Sequence, residues 1–291
     1  MNTIRLLLGS LALLAGTLLV PATARAAESF DNCTDFIDSV PTTISTQGVW
    51  CLRHDVGTGI GYGNAIAINA NNVTLDCNDF KLGGLAAGNA SNATGIFAYQ
   101  RKNITIRNCS VRGFRYGILL SAGAGHLVED NLLDNNLSQA IRIFNSDNVM
   151  VRRNRVFDTG GLAGNKWTTA ISADAHVIDN TISGLYADVS GGYLRGIDTV
   201  GNGLRVSGNH ISGFDMTAVQ GGAVDYANGI FVAGQYLRVS GNHVSVVGGS
   251  SGGGSISVNG GSNVFCVDNT VGGFDSNLFQ CTIADGNLIL P

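Results

Sequence analysis

The chain of 291 residues contains 41 Gly and 28 Asn but only 3 Lys and 2 Glu, and charged residues make up 13% of it with a net charge of −4. So few Lys and Glu leave almost nothing to solvate the outer faces of surface helices, which excludes an α-helical or α/β protein, while a hydrophobic content of 44% excludes disorder. A mostly-β protein with many Gly and Asn turns remains.

At the start of the chain, Arg5 precedes an apolar run from Leu6 to Val20, Pro21 ends it, and Ala24-Arg25-Ala26 supplies a small-x-small cleavage pattern. Residues 1–26 therefore read as a secretory signal peptide with a mature start near Ala27. The residue after the cleavage site is Ala27 and not Cys, which argues against a lipoprotein anchor, and no later apolar run approaches the roughly 20 residues that span a bilayer. The expected product is secreted, periplasmic or on the cell surface, with no membrane insertion after cleavage. Without Arg5 and Arg25 it carries 15 basic and 21 acidic residues, about −6, which disfavours nucleic acid as a partner. Six cysteines agree with an oxidising compartment; proximity in sequence pairs Cys33 with Cys51, Cys77 with Cys109 and Cys266 with Cys281.

From Ala65 onward the chain repeats. A motif apolar-x-x-Asn-x-apolar recurs at Leu75/Asn78/Phe80, Ile106/Cys109/Val111, Val128/Asn131/Leu133, Val151/Asn154/Val156, Val177/Asn180/Ile182, Val206/Asn209/Ile211, Val239/Asn242/Val244 and Cys266/Asn269/Val271, Cys109 alone replacing Asn. Between the copies stands a second marker, often Gly or Ala followed by Ile, at Ile66, Ile96, Ile118, Ile141, Ile171, Ile197, Ile230 and Ile256. The Asn-to-Asn steps are 31, 22, 23, 26, 29, 33 and 27 residues, so a minimal unit of 22 carries loop insertions. If each unit is one coil of a parallel β-helix, the corner Asn residues stack about 4.8 Å apart and each amide can bond a neighbouring coil. Asn and Gly also suit the left-handed conformation of a tight corner.

The runs Asn72-Val-Thr-Leu-Asp-Cys77-Asn, Asn103-Ile-Thr-Ile-Arg-Asn-Cys109 and Tyr116-Gly-Ile-Leu, with the later Asn corners, resemble right-handed parallel β-helix repeat proteins of the pectate-lyase-like superfamily, a type common among secreted bacterial proteins. The resemblance covers roughly 65–271 and implies an all-β, single-stranded right-handed parallel β-helix of about eight to nine coils. The expected organisation is a signal peptide at 1–26, an N-terminal cap at 27–64 with a short helix at 34–40, the β-helix at 65–273 and a C-terminal cap at 274–291.

Aligning the coils sorts the surface into columns. Asp76, Arg107, Glu129 and Arg152 alternate in sign, and Asp130, Arg153 and Asp179 follow in the next column, as in surface ion-pair ladders. His210 and His243 share one position and should stack; with no third ligand evident, no metal site is expected. On the Ile-marked strand, the residues after each inward Ile point outward: Phe97, Leu119, Arg142, Ser172, Asp198, Phe231 and Ser257, then Tyr99, Ser121, Phe144, Asp174, Val200, Ala233 and Asn259. Insertions entering this strand bring Lys166, Trp167, Tyr193, Asp225 and Tyr226. The resemblance places saccharide chemistry on this same face. The expected catalytic residues are Asp174, Asp198 and Arg142, and the expected substrate-binding residues are Tyr99, Phe144, Phe231, Lys166, Trp167, Tyr193, Asp225 and Tyr226.

Two chemistries fit these residue types: Asp174 and Asp198 as the acid and base of a hydrolase, or Arg142 neutralising a uronate while Lys166, Tyr193 or an Arg moves its adjacent proton in elimination or epimerisation. The motif sets of pectin hydrolases, pectate lyases and mannuronan epimerases are absent, so whether the protein is an enzyme stays open at this level. The functional expectation is a monomer that binds an extracellular or cell-wall polysaccharide, with cleavage or epimerisation as the attendant chemistry; the alternative is a non-catalytic surface, adhesion or structural protein. No cofactor is expected, except Ca²⁺ if the chemistry is that of a lyase.

Overall fold

The computed structural model describes residues 30–246, 253–274 and 276–290; the signal peptide read at 1–26 and most of the Gly-Gly-Ser-Ser-Gly-Gly-Gly run at 248–254, whose composition reads as a coil-to-coil loop, lie outside them. The described chain winds through three parallel sheets, two of 10 strands and one of 11, always in the same order. Sheet I holds the Ile-marked strands, from Thr42–Ile44 to Ser276–Phe279. Sheet II holds the strands that begin each Asn motif, from Asp35–Ile37 to Ile283–Asp285. Sheet III follows the Asn corner, from Val56–Gly57 to Leu288–Ile289.

Each sheet contributes one inward stack. Ile66, Ile96, Ile118, Ile141, Ile171, Ile197, Ile230 and Ile256 are all 0% exposed in sheet I, and the apolar positions of the Asn motif other than Phe80 are buried in sheets II and III. A coil alone could cover none of these side chains, so the roughly 1.5–3 kcal/mol from burying each is available only in the stacked array. The small residue before each Ile is required by that stacking: a Cβ on Gly196 would stand 2.6 Å from the Gly229 carbonyl oxygen and 2.7 Å from Ile211.

The Asn corners form a buried amide ladder. Asn131, Asn154, Asn180, Asn209, Asn242 and Asn269 each donate both a backbone N–H and Nδ2 to the Oδ1 of the next Asn, at 2.9–3.2 Å, and the ladder runs one rung further to Asn287. At the other end the Cys109 N–H donates to Asn131 Oδ1 at 3.0 Å, and Cys109 is bonded to Cys77 in the previous coil. The left-handed residue of the corner is the one before the Asn: Asn108, Asp130, Arg153, Asp179, Gly208, Gly241, Asp268 and Gly286. The ladder amide itself must point inward, so the bend falls on its exposed neighbour.

Three further expectations change. The stretch 34–40 forms strand Asp35–Ile37 rather than a helix, because it pairs in register with Trp50–Leu52. Strands within 35–57 and 276–289 continue the three sheets, so segments read as caps carry coils of the same stack. In the first repeat Leu82, not Phe80, stacks on Val111, since Asn78 and Asp79 both take left-handed conformations and lengthen that corner. The disulfides join Cys33 to Cys51, Cys77 to Cys109 and Cys266 to Cys281. No described helix is long and apolar enough to cross a membrane, and the three disulfides fit an extracellular or periplasmic setting.

Candidate functional site on the outer face of sheet I

The register of sheet I places Phe97, Leu119, Arg142, Ser172, Asp198, Phe231, Ser257 and Phe279 side by side on successive strands, about 4.8 Å apart. A parallel column two residues before each Ile runs Thr94, Tyr116, Gln139, Thr169, Arg195, Asn228. The connections from sheet III into sheet I carry the insertions, but much of their length is strand: Gly192–Val200 and Val224–Ala233 extend well upstream of the core Ile. That extension brings Trp167, Tyr193 and Tyr226 onto neighbouring strands.

Trp167 and Tyr193 stack face to face, with centroids 4.3 Å apart and an 8° interplanar angle, and Tyr226 lies tilted 6.1 Å beyond Tyr193. Arg195 reaches over the Phe231 ring at 3.8 Å and lies 6.0 Å from Trp167, while its Nη1 donates to Asp198 Oδ2 at 2.6 Å. These rings, with Ser257, Asn259 and Phe279, line a depression of about 340 Å³. Trp167 is 52% exposed, and its indole supplies apolar surface beside the guanidinium. An aromatic wall around an oriented cation and carboxylate suits a ligand with apolar C–H faces and polar edges.

Further along the same face, Arg142 lies over Tyr116 and Phe144, at 5.3 and 5.0 Å, and donates to the Tyr116 hydroxyl at 3.2 Å. It has no carboxylate partner among the described residues, unlike Arg107, Arg152 and Arg153, which pair with Asp76, Glu129 and Asp130 in the expected ladders. Tyr99 stands at the strand end two coils before Phe144, half exposed. Lys166 Nζ and Asp225 Oδ2 lie above Gly191, 3.4 and 3.3 Å from where a β-carbon there would stand.

Asp174 lies just past the end of its strand, where Oδ2 accepts the Asn145 backbone N–H at 2.9 Å. Burial, opposed by that hydrogen bond and reinforced by the charge of Asp198, raises its carboxyl above the usual Asp range. It lines a different depression, at the corner between sheets I and II, from the one that Phe231 lines. The structure thus groups Trp167, Tyr193, Tyr226, Phe231 and Asp198, sets Arg142 with Phe144, and sets Asp174 at the edge of the face. Arg195 and Phe279 are additional groups; Arg195 is signalled by the column before each Ile, which points outward as the column after it does.

His210 and His243 stack at 4.7 Å with a 3° angle on sheet III, away from this face. No cluster of three metal-ligating side chains is present among the described residues.

A family described as the right handed beta helix region matches residues 56–196. No curated protein matches the chain in sequence. Among solved structures, the Dettilon tailspike protein gp208 is 20% identical with a TM-score of 0.43, covering 87% of this chain and 57% of that one. The mannuronan C-5 epimerase AlgE6 A-module of Azotobacter vinelandii is 13% identical, with a TM-score of 0.36, over 88% of this chain and 89% of its own. A mutant tailspike protein of E. coli bacteriophage HK620, in complex with a pentasaccharide, is 13% identical, with a TM-score of 0.41, over 84% of this chain and 56% of its own. The chain spans little more than half the length of either tailspike.

Proposed function

We propose that this chain, a right-handed parallel β-helix protein, binds an extracellular polysaccharide along the outer face of sheet I. The observation that carries the reading is the convergence of Trp167, Tyr193, Tyr226 and Phe231 on Arg195 and Asp198, on a face whose outward positions recur at every coil. A polymer suits a face that presents outward positions at a regular spacing of about 4.8 Å. Aromatic rings take the C–H faces of sugar rings, and the paired Arg195 and Asp198 offer donors and acceptors to hydroxyls. Arg142, without a carboxylate partner among the described residues, supplies a place for the acidic group of a uronate.

A second, catalytic reading rests on Asp174 and Asp198. From strand geometry their Cα atoms lie about 8 Å apart, and the two groups differ in kind. Asp174 is shifted toward its protonated form by burial, whereas Asp198 is ion-paired to Arg195. A carboxyl whose burial favours the neutral form, beside one ion-paired to a guanidinium, suits the division of labour of acid–base cleavage of a glycosidic bond.

Titration calorimetry with neutral and acidic polysaccharides, alongside assays for reducing ends and for unsaturated products, tests both. Binding without turnover supports the first reading alone. Cleavage lost in Asp174→Asn and Asp198→Asn, with binding retained, supports the second. No binding to either polysaccharide class refutes both.

A further inference from the structure

The corners that join sheet I to sheet II are not equal. Residues 145–149 and 201–204 form two of them, but the coil between turns in residues 174–175 alone. The short corner is held from the next coil by Thr199, 0% exposed, whose hydroxyl donates to the Ala173 carbonyl at 2.6 Å. A short turn between two longer ones leaves a notch of about 570 Å³, within the roughly 300–1,000 Å³ of small-ligand pockets.

Its chemistry differs from that of the aromatic face. The polar walls carry Asp174, Asp147, Asn148 and Asn202, while Val200 and Leu204 give an apolar flank; no Lys or Arg among the described residues lines it. The His176 Nδ1 accepts the Arg205 backbone N–H at 3.1 Å, so a neutral ring presents Nε2–H as a donor. Carboxyl and amide groups together pair with adjacent hydroxyls, which both donate and accept. An acidic sugar would bring its carboxylate against Asp147 and Asp174 with no cation to meet it. A lone metal ion would leave most of the volume unfilled. Val200 is half exposed and stands two residues beyond Asp198 on the same outward face, so the notch opens from the end of the polysaccharide face.

We infer that the notch is a subsite for one uncharged sugar residue, and that the ligand is a heteropolysaccharide whose acidic residues lie over Arg142 while a neutral residue enters the notch. This rests on the polysaccharide reading above and narrows it to chains of mixed charge.

The test is calorimetry and saturation-transfer NMR on the full protein with glucose, galactose, mannose and N-acetylglucosamine, with glucuronic acid, and with an acidic homopolymer and an acidic heteropolysaccharide. The variants are Val200→Trp, which fills the notch from an exposed strand end; Asp147→Ala, a milder change on an exposed corner; and Trp167→Ala/Tyr193→Ala, which strips the aromatic wall. At least one neutral sugar should bind the wild type. Val200→Trp should weaken that binding at least about tenfold, and Asp147→Ala should weaken it measurably. Glucuronic acid should compete poorly for the notch, and the heteropolysaccharide should lose affinity in both the notch and the wall variants. Unchanged neutral-sugar binding in Val200→Trp and Asp147→Ala, with polymer affinity lost in the wall variant, overturns the notch and leaves the polysaccharide face standing. Neutral-sugar loss in Val200→Trp with polymer binding unaffected by the wall variant refutes the polysaccharide face, and the mixed-ligand inference falls with it. Tighter binding of the acidic homopolymer than of the heteropolysaccharide also overturns the inference.

Discussion

Replacing Asn180 by Ala removes a middle rung of the amide ladder. Its Oδ1 accepts from the Asn154 backbone N–H at 2.9 Å and from Asn154 Nδ2 at 3.0 Å, and its Nδ2 donates to Val151, Ile178 and Asn209 oxygens at 3.2, 3.0 and 3.0 Å. Asn154 is 0% exposed, so its N–H is left without a partner at a cost of about 1–3 kcal/mol. Its Nδ2 keeps bonds to the Val128 and Arg152 carbonyls, which limits the further loss to two or so net hydrogen bonds of about 1 kcal/mol each. The expected destabilisation is about 3–5 kcal/mol. Asn287→Ala, on the half-buried last rung, should cost only about 1 kcal/mol because water can take the vacated place. Urea denaturation followed by circular dichroism measures both. A loss under about 1 kcal/mol for Asn180→Ala, or equal losses at the two rungs, would refute the view that the ladder satisfies backbone groups which water cannot reach.

His126, 2% exposed, has its pKa lowered to about 4 by burial, so between 6.5 and about 4 the unfolded chain binds a proton that the folded chain refuses. Stability from this group is full above pH 6.5 and is lost as pH falls through that window, by at most about 3 kcal/mol. His126→Gln should flatten the difference between urea midpoints at pH 7 and 4.5; an unchanged pH slope would sink the assignment. Gly196→Ala should destabilise by about 1–3 kcal/mol, since its β-carbon meets the Gly229 carbonyl at 2.6 Å, and a thermal midpoint like that of the parent would contradict the packing. Arg195→Ala should weaken polysaccharide binding at least about tenfold, with little recovery in Arg195→Lys because an ammonium lacks the planar guanidinium that lies over Phe231; calorimetry giving full recovery would make charge alone the explanation. Replacing Cys77 and Cys109 together by Ser should cost about 3–4 kcal/mol, from the 32-residue separation that the bond spans, read as the shift in urea midpoint; a shift near zero would count against that loop entropy.

The architecture was legible because a solenoid writes its contacts into the sequence at fixed offsets. Each Ile marker meets the next Ile, and each ladder Asn meets the next Asn, so one alignment of the repeats predicts the sheet neighbours. The columns of charge were readable for the same reason, down to Arg107 on Asp76 and Arg152 on Glu129. The ends were not, because Asp35–Ile37 and Leu288–Ile289 pair in sheets without the full motif to announce it. Arg195 escaped notice because Gly196 and Ile197 are both buried, so outward positions occur three residues apart across the Gly-Ile pair and strict alternation misses the earlier one. The notch is a matter of corner length, and a shortened turn leaves no residue type of its own to recognise.

The runs Leu204–Ile211 and Leu237–Val244 are nearly identical, and the structure sets Arg205 on Arg238 and His210 on His243, one coil apart. A ladder whose every rung meets its neighbour through the same donors and acceptor has no preferred length. A whole coil can be copied or deleted with both cut ends meeting equivalent partners, whereas a part of a coil cannot. Change in such a molecule is therefore quantised along its axis. The sheet I face can lengthen to span more of a polymer while a local feature such as the Trp167 wall travels as a unit, undisturbed by what is added above or below it.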